Sequence, residues 1–311
     1  MERLLVTGVD GPLGSNLALS LCEPCEVLGL YTNHAVELSG MRTAACSWDD
    51  AARLAELARD WQPRWIIDCG PLSASAWDPP ADAARCHQEP QRVARLAGLA
   101  DDLAARLTVI SSDVVFGGPR MFHDESSPAG GTSAGAEHVL AMEQALAATR
   151  ALVVRTHAYG WSPVEAHAGF AERAIAAVLS GRAPDMDGCR HATPLLATDL
   201  ASYLLRAYAL RLEGVYHVAG AERTSPFHFV LELAAALGLH MNSDRSPRAY
   251  AEAASDEHET SLSSKRARRM LEMTMPMLRD GLARFAAQRH NGWRERARNL
   301  GPLAGAMELA A

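Results

Sequence analysis

Short apolar runs alternate with longer stretches in which apolar residues recur every three or four positions, and the alternation repeats across the first half of the chain. Apolar runs bounded by turn residues read as strands buried on both faces; the longer stretches read as helices that cover them. On this basis residues 3–7, 26–30, 65–69, 107–111 and 151–156 are predicted strands. Residues 14–21, 51–59, 90–105 and 134–148 are predicted helices, the second with Asp49-Asp50 at its N-terminal end. A Gly/Pro/Ser-rich loop spans residues 117–133. The order is that of βαβ units. The expected fold class is α/β, a Rossmann-type doubly wound parallel sheet.

Beyond residue 160 the pattern changes to helices with irregular connections, at 169–179, 198–212 and 226–237, around one short strand at 214–218. This predicts a smaller, mostly helical C-terminal substrate lobe. Residues 1–160 would form the dinucleotide-binding domain, with 190–218 returning to it. Residues 161–189 and 219–290 would form the substrate lobe, and 291–311 a C-terminal tail. Residues 276–287 and 289–298 read as Arg-rich helices with a solvated face, a subunit contact being the alternative. No internal repeat is visible.

Charge narrows the partners. The 311 residues carry a net charge of −7 and a pI of about 5.9, against a nucleic-acid or anionic-membrane partner, which needs a cationic footprint. No apolar run approaches the roughly 18 residues of a membrane span. Met1-Glu2-Arg3 passes straight into the first strand pattern, so no signal peptide is expected, and six cysteines in a chain this long do not suggest a disulfide scaffold. A cytoplasmic protein is expected. Cys22-x-x-Cys25 closes the first helix beside Pro24 rather than opening one, and reads as one core and one loop cysteine. No metal site is expected, since no His-Glu-x-x-His or second cysteine pair exists; Asp185-x-Asp187-Gly188-Cys189-x-His191 is the nearest to a ligand set.

The first strand runs into Gly8-Val9-Asp10-Gly11-Pro12-Leu13-Gly14 and then a helix. In that setting Gly8 permits the turn, Gly11 lets backbone approach a pyrophosphate, and Gly14 allows close helix–strand packing. The candidate cofactor-binding residues are Gly8, Asp10, Gly11, Pro12, Leu13 and Gly14, with Tyr31 and Thr32 at the end of the second strand. Selection between NAD and NADP usually rests on an acid or an arginine at that strand end. Here Leu30-Tyr31-Thr32-Asn33-His34 offers neither, and only Arg42 lies nearby, so NADP or NAD remains open.

Several stretches occur in an order that resembles a known family: Thr7-x-x-x-Gly11-x-x-Gly14, residues 109–116, Arg155-Thr156-x-x-Tyr159-Gly160, His191-Ala192-Thr193-Pro194, Gly214-Val215-Tyr216-His217 and Thr260-Ser261-Leu262-Ser263-Ser264-Lys265. Together they are similar to the dTDP-4-dehydrorhamnose reductase branch of the extended short-chain dehydrogenases, which includes the regulatory beta subunit of methionine adenosyltransferase. The resemblance reaches to about residue 290. It implies an NAD(P) cofactor and a sugar-nucleotide-like ligand, with Cys69, Gly70, Pro71 and Ser111 beside the cofactor and Asp113, Tyr159, His191 and Thr193 beside the substrate.

The same resemblance implies a hydroxyl near Ser112, a Tyr, and a Lys four residues later. A phenol with a pKa of about 10 relays protons poorly at neutral pH unless a cation stabilises its anion. This chain departs from that pattern. Of 30 basic residues 29 are arginine, Lys265 is the sole lysine, and Ser261 stands four residues before it. Aligned on Asp124-Glu125-x-x-Pro128 and Glu143, the Tyr position is Gly135 and the Lys position Val139. Ser112 survives, and His123 and His138 are the candidate substitute acids, because histidine titrates near neutrality. Three readings follow: a nucleotide-binding regulatory protein with proton transfer lost, a divergent reductase of a sugar-like carbonyl, or a non-redox isomerase or cyclase. The first calls for a regulatory partner protein or a homodimer.

Overall fold

The computed structural model describes residues 1–298 except 81, 132, 183–187 and 240–258. Seven parallel strands form the main sheet, in the order β3-β2-β1-β4-β5-β6-β9. They are β1 (Glu2–Thr7), β2 (Cys25–Tyr31), β3 (Arg42–Ala45), β4 (Trp65–Asp68), β5 (Arg106–Ser112), β6 (Leu152–Thr156) and β9 (Gly214–His217). The chain leaves β3 at one edge and re-enters at β4 on the far side of β1. That reversal opens a crevice at the C-terminal ends of β1 and β4, where open α/β sheets bind ligands.

Alternation along each strand decides which helix covers it. Leu4 and Val6 pack with Leu13 and Leu17 of α1 (Pro12–Leu21) and Leu200 and Leu204 of α6 (Ala197–Ala209). Leu5, between them, points the other way, into a core with Trp61 of α2 (Ala51–Trp61), Leu96 of α3 (Ala83–Asp102) and Met142 of α4 (Ala134–Leu146). Both faces are dry, so the strands read as continuous apolar runs.

A third apolar cluster lies beside the sheet. It joins Trp77 and Tyr159 to α5 (Phe170–Leu179), α7 (Pro226–Ala236) and α9 (Leu278–Ala287). Two residues of β7 (Ala158–Tyr159) pair in parallel with β8 (Leu195–Leu196) and stitch this cluster to the end of β6. The helix α8 (Lys265–Leu271) begins with the exposed Lys265.

Three features differ from the sequence expectation. The strand β3 carries Arg-Thr-Ala-Ala, with no apolar run to reveal it; its pairing with β2 alone defines it. The helix α3 starts at Ala83 rather than Pro90, because the Asp82 carboxylate accepts the Arg85 N–H at 3.1 Å and caps it. A proline inside a helix costs about 3 kcal/mol against alanine. Here the buried Glu89 next to it accepts from the Trp48 indole and Arg92, anchoring the turn. Finally, the arginine-rich end is a solvated face only in part: Arg279 and Arg284 of α9 (Leu278–Ala287) are exposed and pair with Glu232 and Asp199, while its opposite face is core. Leu282 and Phe285 of α9 are fully buried, and α10 (Trp293–Arg298) docks on α1, with the Trp293 indole donating to Asn16 Oδ1 at 2.9 Å. Arg294 and Arg296 lie over the Trp161 and Trp293 rings, which removes them from the solvent-facing set.

Candidate functional site

A cleft of about 450 Å³ opens at the crevice. Gly8 sits at φ +68°, and a Cβ there would lie 2.2 Å from the Cys69 carbonyl oxygen. A Cβ at Gly14 would lie 2.3 Å from the Gly8 carbonyl oxygen, so these two glycines are required by packing alone. Gly11 is different: a Cβ there meets no protein atom closer than 3.4 Å, and the residue faces the cleft. The space beside Gly11 is therefore not one the protein fills. No side chain caps α1 at Gly11 and no acid lies in its first turn, so its N–H groups and dipole present a positive end to the cleft.

Gly8, Asp10, Gly11, Pro12, Leu13, Gly14, Thr32, Cys69, Gly70, Pro71 and Tyr159 line this cleft, whereas Tyr31 does not and instead packs against the core. Sequence reasoning missed Trp48, Ser75, Asp78, Arg85, His167 and Arg173, which complete the walls. Trp48, Ser75, Asp78 and His167 lie on connections, where no periodicity marks a position, and Arg85 and Arg173 stand in the first turns of α3 and α5. Tertiary hydrogen bonds fix two of them: Asp78 Oδ1 accepts the Phe170 N–H at 2.8 Å, and His167 Nδ1 bonds the Asp10 carbonyl oxygen at 2.9 Å.

The side of the cleft where the family's chemistry is expected is filled by the chain itself. Ser112 is fully buried, and its hydroxyl donates to the Ala74 carbonyl at 2.6 Å. Asp113, also fully buried, accepts from the Ala76 N–H, from Thr260 Oγ1 at 2.6 Å and from His157 Nδ1 at 2.7 Å. These bonds draw in the segment after β4. Trp77 follows it inward, its ring edge-to-face with His157, Phe170 and Phe229 at centroid distances of 4.5, 5.1 and 5.6 Å. Only a cavity of about 20 Å³ remains beside His157 and Trp77.

Gly135 opens α4 with no forced packing, since a Cβ there would meet Ser133 Oγ at 3.7 Å. Val139 is buried in the apolar core with Val115, Phe116 and Met142, so no cation stands at the lysine position. His138 lies on α4 outside the cleft, its ring 6.2 Å from His87. His123 is buried between strands of chain: it stacks on Phe116 at 4.3 Å, its N–H donates to the Ser261 carbonyl, and its carbonyl accepts the Ser263 N–H. Burial lowers the His123 pKa below the usual histidine value, which disfavours the protonated form a general acid needs. Ser111, expected beside the cofactor, is buried and donates to Glu143, which also holds Arg155.

The expected substrate residues divide. Tyr159 lines the cleft, but its phenol is buried against Phe229 and Phe285 and its pKa is pushed well up by that burial. Asp113, His191 and Thr193 lie in the polar seam beneath: Thr193 Oγ1 accepts the Leu262 N–H at 3.0 Å, and His191 Nδ1 meets the Cys189 carbonyl. Burial, then Arg223, lowers the His191 pKa. Asp185 and Asp187 lie outside the described residues. Among the described residues no three His, Cys, Asp or Glu side chains group as a metal site, and no helix is long and apolar enough to cross a membrane.

Comparison with known proteins supplies the family. The model of the RmlD substrate binding domain matches residues 1–291. No curated protein matches in sequence. Among solved structures, a hypothetical dTDP-4-dehydrorhamnose reductase from Sulfolobus tokodaii is 24% identical, covers 90% of this chain and 99% of its own, and has a TM-score of 0.70. The dTDP-4-dehydrorhamnose reductase of Bacillus anthracis, solved with NADP, is 19% identical over 93% of this chain and 99% of its own, with a TM-score of 0.70. A dTDP-glucose 4,6-dehydratase from the same organism, solved with NAD, is 14% identical over 96% and 100%, with a TM-score of 0.76. The sheet order, the glycine loop and the match over nearly the whole length agree: the chain belongs to the RmlD substrate-binding-domain family, the dTDP-4-dehydrorhamnose reductase-like branch of the extended short-chain dehydrogenases.

Proposed function

We propose that this protein binds a nicotinamide adenine dinucleotide across the glycine loop and has lost the standard proton transfer of its family, so that it acts as a non-standard or regulatory member. The unfilled space beside Gly11 at the open end of α1 fits a pyrophosphate. Similar folds solved with NADP and NAD support that ligand class. A bound nicotinamide would supply hydride.

The observation that carries the loss is the pair Gly135 and Val139, the first without a side chain and the second sealed in core. The neighbouring groups among the described residues support the same reading. Ser112 is committed to the Ala74 carbonyl, and Trp77 is packed against His157 beside it. His123 and His138 lie outside the cleft, which counts against either as the substitute acid of a divergent reductase. Six free cysteines fit a reducing, cytoplasmic setting. A regulatory role calls for a protein partner or a homodimer.

Titration of the purified protein with NADH and NADPH tests the first half. Enhanced nicotinamide fluorescence and a raised Tm are expected with at least one of them. Neither signal at millimolar ligand would end the reading.

A further inference from the structure

The end of β2 lacks the acid that commonly holds the adenosine ribose, yet a carboxylate stands there. Asp10, in the glycine loop, is buried, and its Oδ2 accepts three consecutive backbone N–H groups, those of Thr32 at 3.3 Å, Asn33 at 3.0 Å and His34 at 3.4 Å. Consecutive amides that converge in this way form a concavity suited to an anion. In this chain the anion is already supplied. All three bonds go to Oδ2, which leaves Oδ1 free of them, and Asp10, Thr32 and Asn33 all face the cleft.

Dinucleotide folds choose between cofactors at this place, with an acid for a ribose hydroxyl or an arginine for a 2′-phosphate. A 2′-phosphate would meet a negative carboxylate and amides already in use. A ribose hydroxyl would meet an acceptor. The basic residues do not reverse this. Arg42 lies over the Trp61 ring at 5.3 Å and does not line the cleft. Arg173 is held by Asp78 and by the Ala168 and Trp77 carbonyls. Arg85 lines the cleft with its Nη2 on Asn33 Oδ1 at 3.0 Å, and it is the one rival as a phosphate ligand among the described lining residues.

We infer that Asp10 selects NAD over NADP, serving from the glycine loop as the ribose acceptor usually placed at the end of β2. This rests on the dinucleotide reading above and names the cofactor within it. The test is direct titration of the full chain with NADH and with NADPH, followed by nicotinamide fluorescence. NADH binds at least about tenfold more tightly in the wild type, a difference of about 1.4 kcal/mol. In Asp10→Asn, which removes the charge with little change of shape, the ratio falls to about threefold or less, and NADPH binding tightens in absolute terms.

Titration with adenosine 5′-diphosphate and its 2′-phosphorylated analogue repeats the comparison on the wild type alone, so a variant that fails to fold does not remove the test. Equal affinities, tighter NADPH binding, or an unchanged ratio in a folded Asp10→Asn overturn the inference. Tight NADPH binding that vanishes in Arg85→Ala assigns the selection to Arg85 instead. If neither dinucleotide binds, the functional reading falls, and the role of Asp10 falls with it.

Discussion

Two glycines three residues apart, Gly8 and Gly11, carry different obligations, and substitution separates them. Gly8→Ala places a Cβ 2.2 Å from the Cys69 carbonyl at a positive φ. A destabilisation of roughly 2–4 kcal/mol is expected, read by urea unfolding. Gly11→Ala meets only the Gly8 carbonyl, at 3.4 Å, so its Tm stays within a few degrees of the wild type. Dinucleotide affinity nevertheless drops by about tenfold or more, because the methyl stands where backbone must approach the phosphates. Loss of stability without loss of binding in Gly11→Ala would contradict this assignment. The histidines give a pH signature at the same scale. Burial, then Arg155, pushes His217 down to about 3, and burial also lowers His123 and His191. These groups stay neutral in the folded state and take up protons more readily when unfolded. The stability they contribute is complete above about pH 6.5 and is lost as the pH falls below it, for His217 down to about 3, at up to about 1.4 kcal/mol per pH unit for each group that titrates. Urea midpoints at pH 7.5 and 5 should show the fall; a flat profile would contradict the buried, neutral assignment.

Among the elements, the segment between β4 and α3 decides how much of the cleft remains. Ser112, Asp113 and Trp77 together hold it over the end of β5. Trp77→Ala removes a buried indole from the contact with His157, Phe170 and Phe229 and is expected to cost about 3–5 kcal/mol, with greater solvent access beside His157. A cost under about 1 kcal/mol would mean that the ring does not hold the segment in place. This is also the scale at which the sequence was most and least informative. The strands of the sheet were legible because helices cover both faces, so each reads as a bare apolar run; β1 with Leu4, Leu5 and Val6 is the clearest. The edge strand β3 was hidden, since Arg-Thr-Ala-Ala needs only a backbone partner. Pro90 looked like a helix start because proline is tolerated there, but the cap at Asp82 carries α3 through it. The docking of α10 rests on tertiary contacts far away in the chain, the Trp293 indole on Asn16, Arg294 over Trp161 and Ala297 in the core, and no local pattern announces them.

For the whole molecule, the family scaffold is present, while the positions aligned in sequence with the family's Tyr and Lys hold Gly135 and Val139. The glycine loop could be read from spacing, since backbone geometry dictates glycine at Gly8 and Gly14. The absence of the Tyr and Lys could be read as well, because Lys265 is the sole lysine. What could not be read was the fate of the space they leave. His123 and His138 were reasonable candidates by chemistry, but folding buries one in a polar seam and turns the other toward His87. Asp10 was legible only as a member of the glycine loop; its grip on the amides after β2 is tertiary.

On this reading the cofactor binds and the standard reduction does not follow. It is tested most directly by mixing the protein with saturating NADH and a dTDP-4-keto sugar, and following nicotinamide fluorescence and absorbance in one sample. Loss of a general acid alone lowers rates about 10²–10⁴-fold. Enhanced fluorescence is expected, with turnover at least that far below the roughly 1–10³ s⁻¹ usual for enzymes. Sustained oxidation of NADH within that usual range would contradict it.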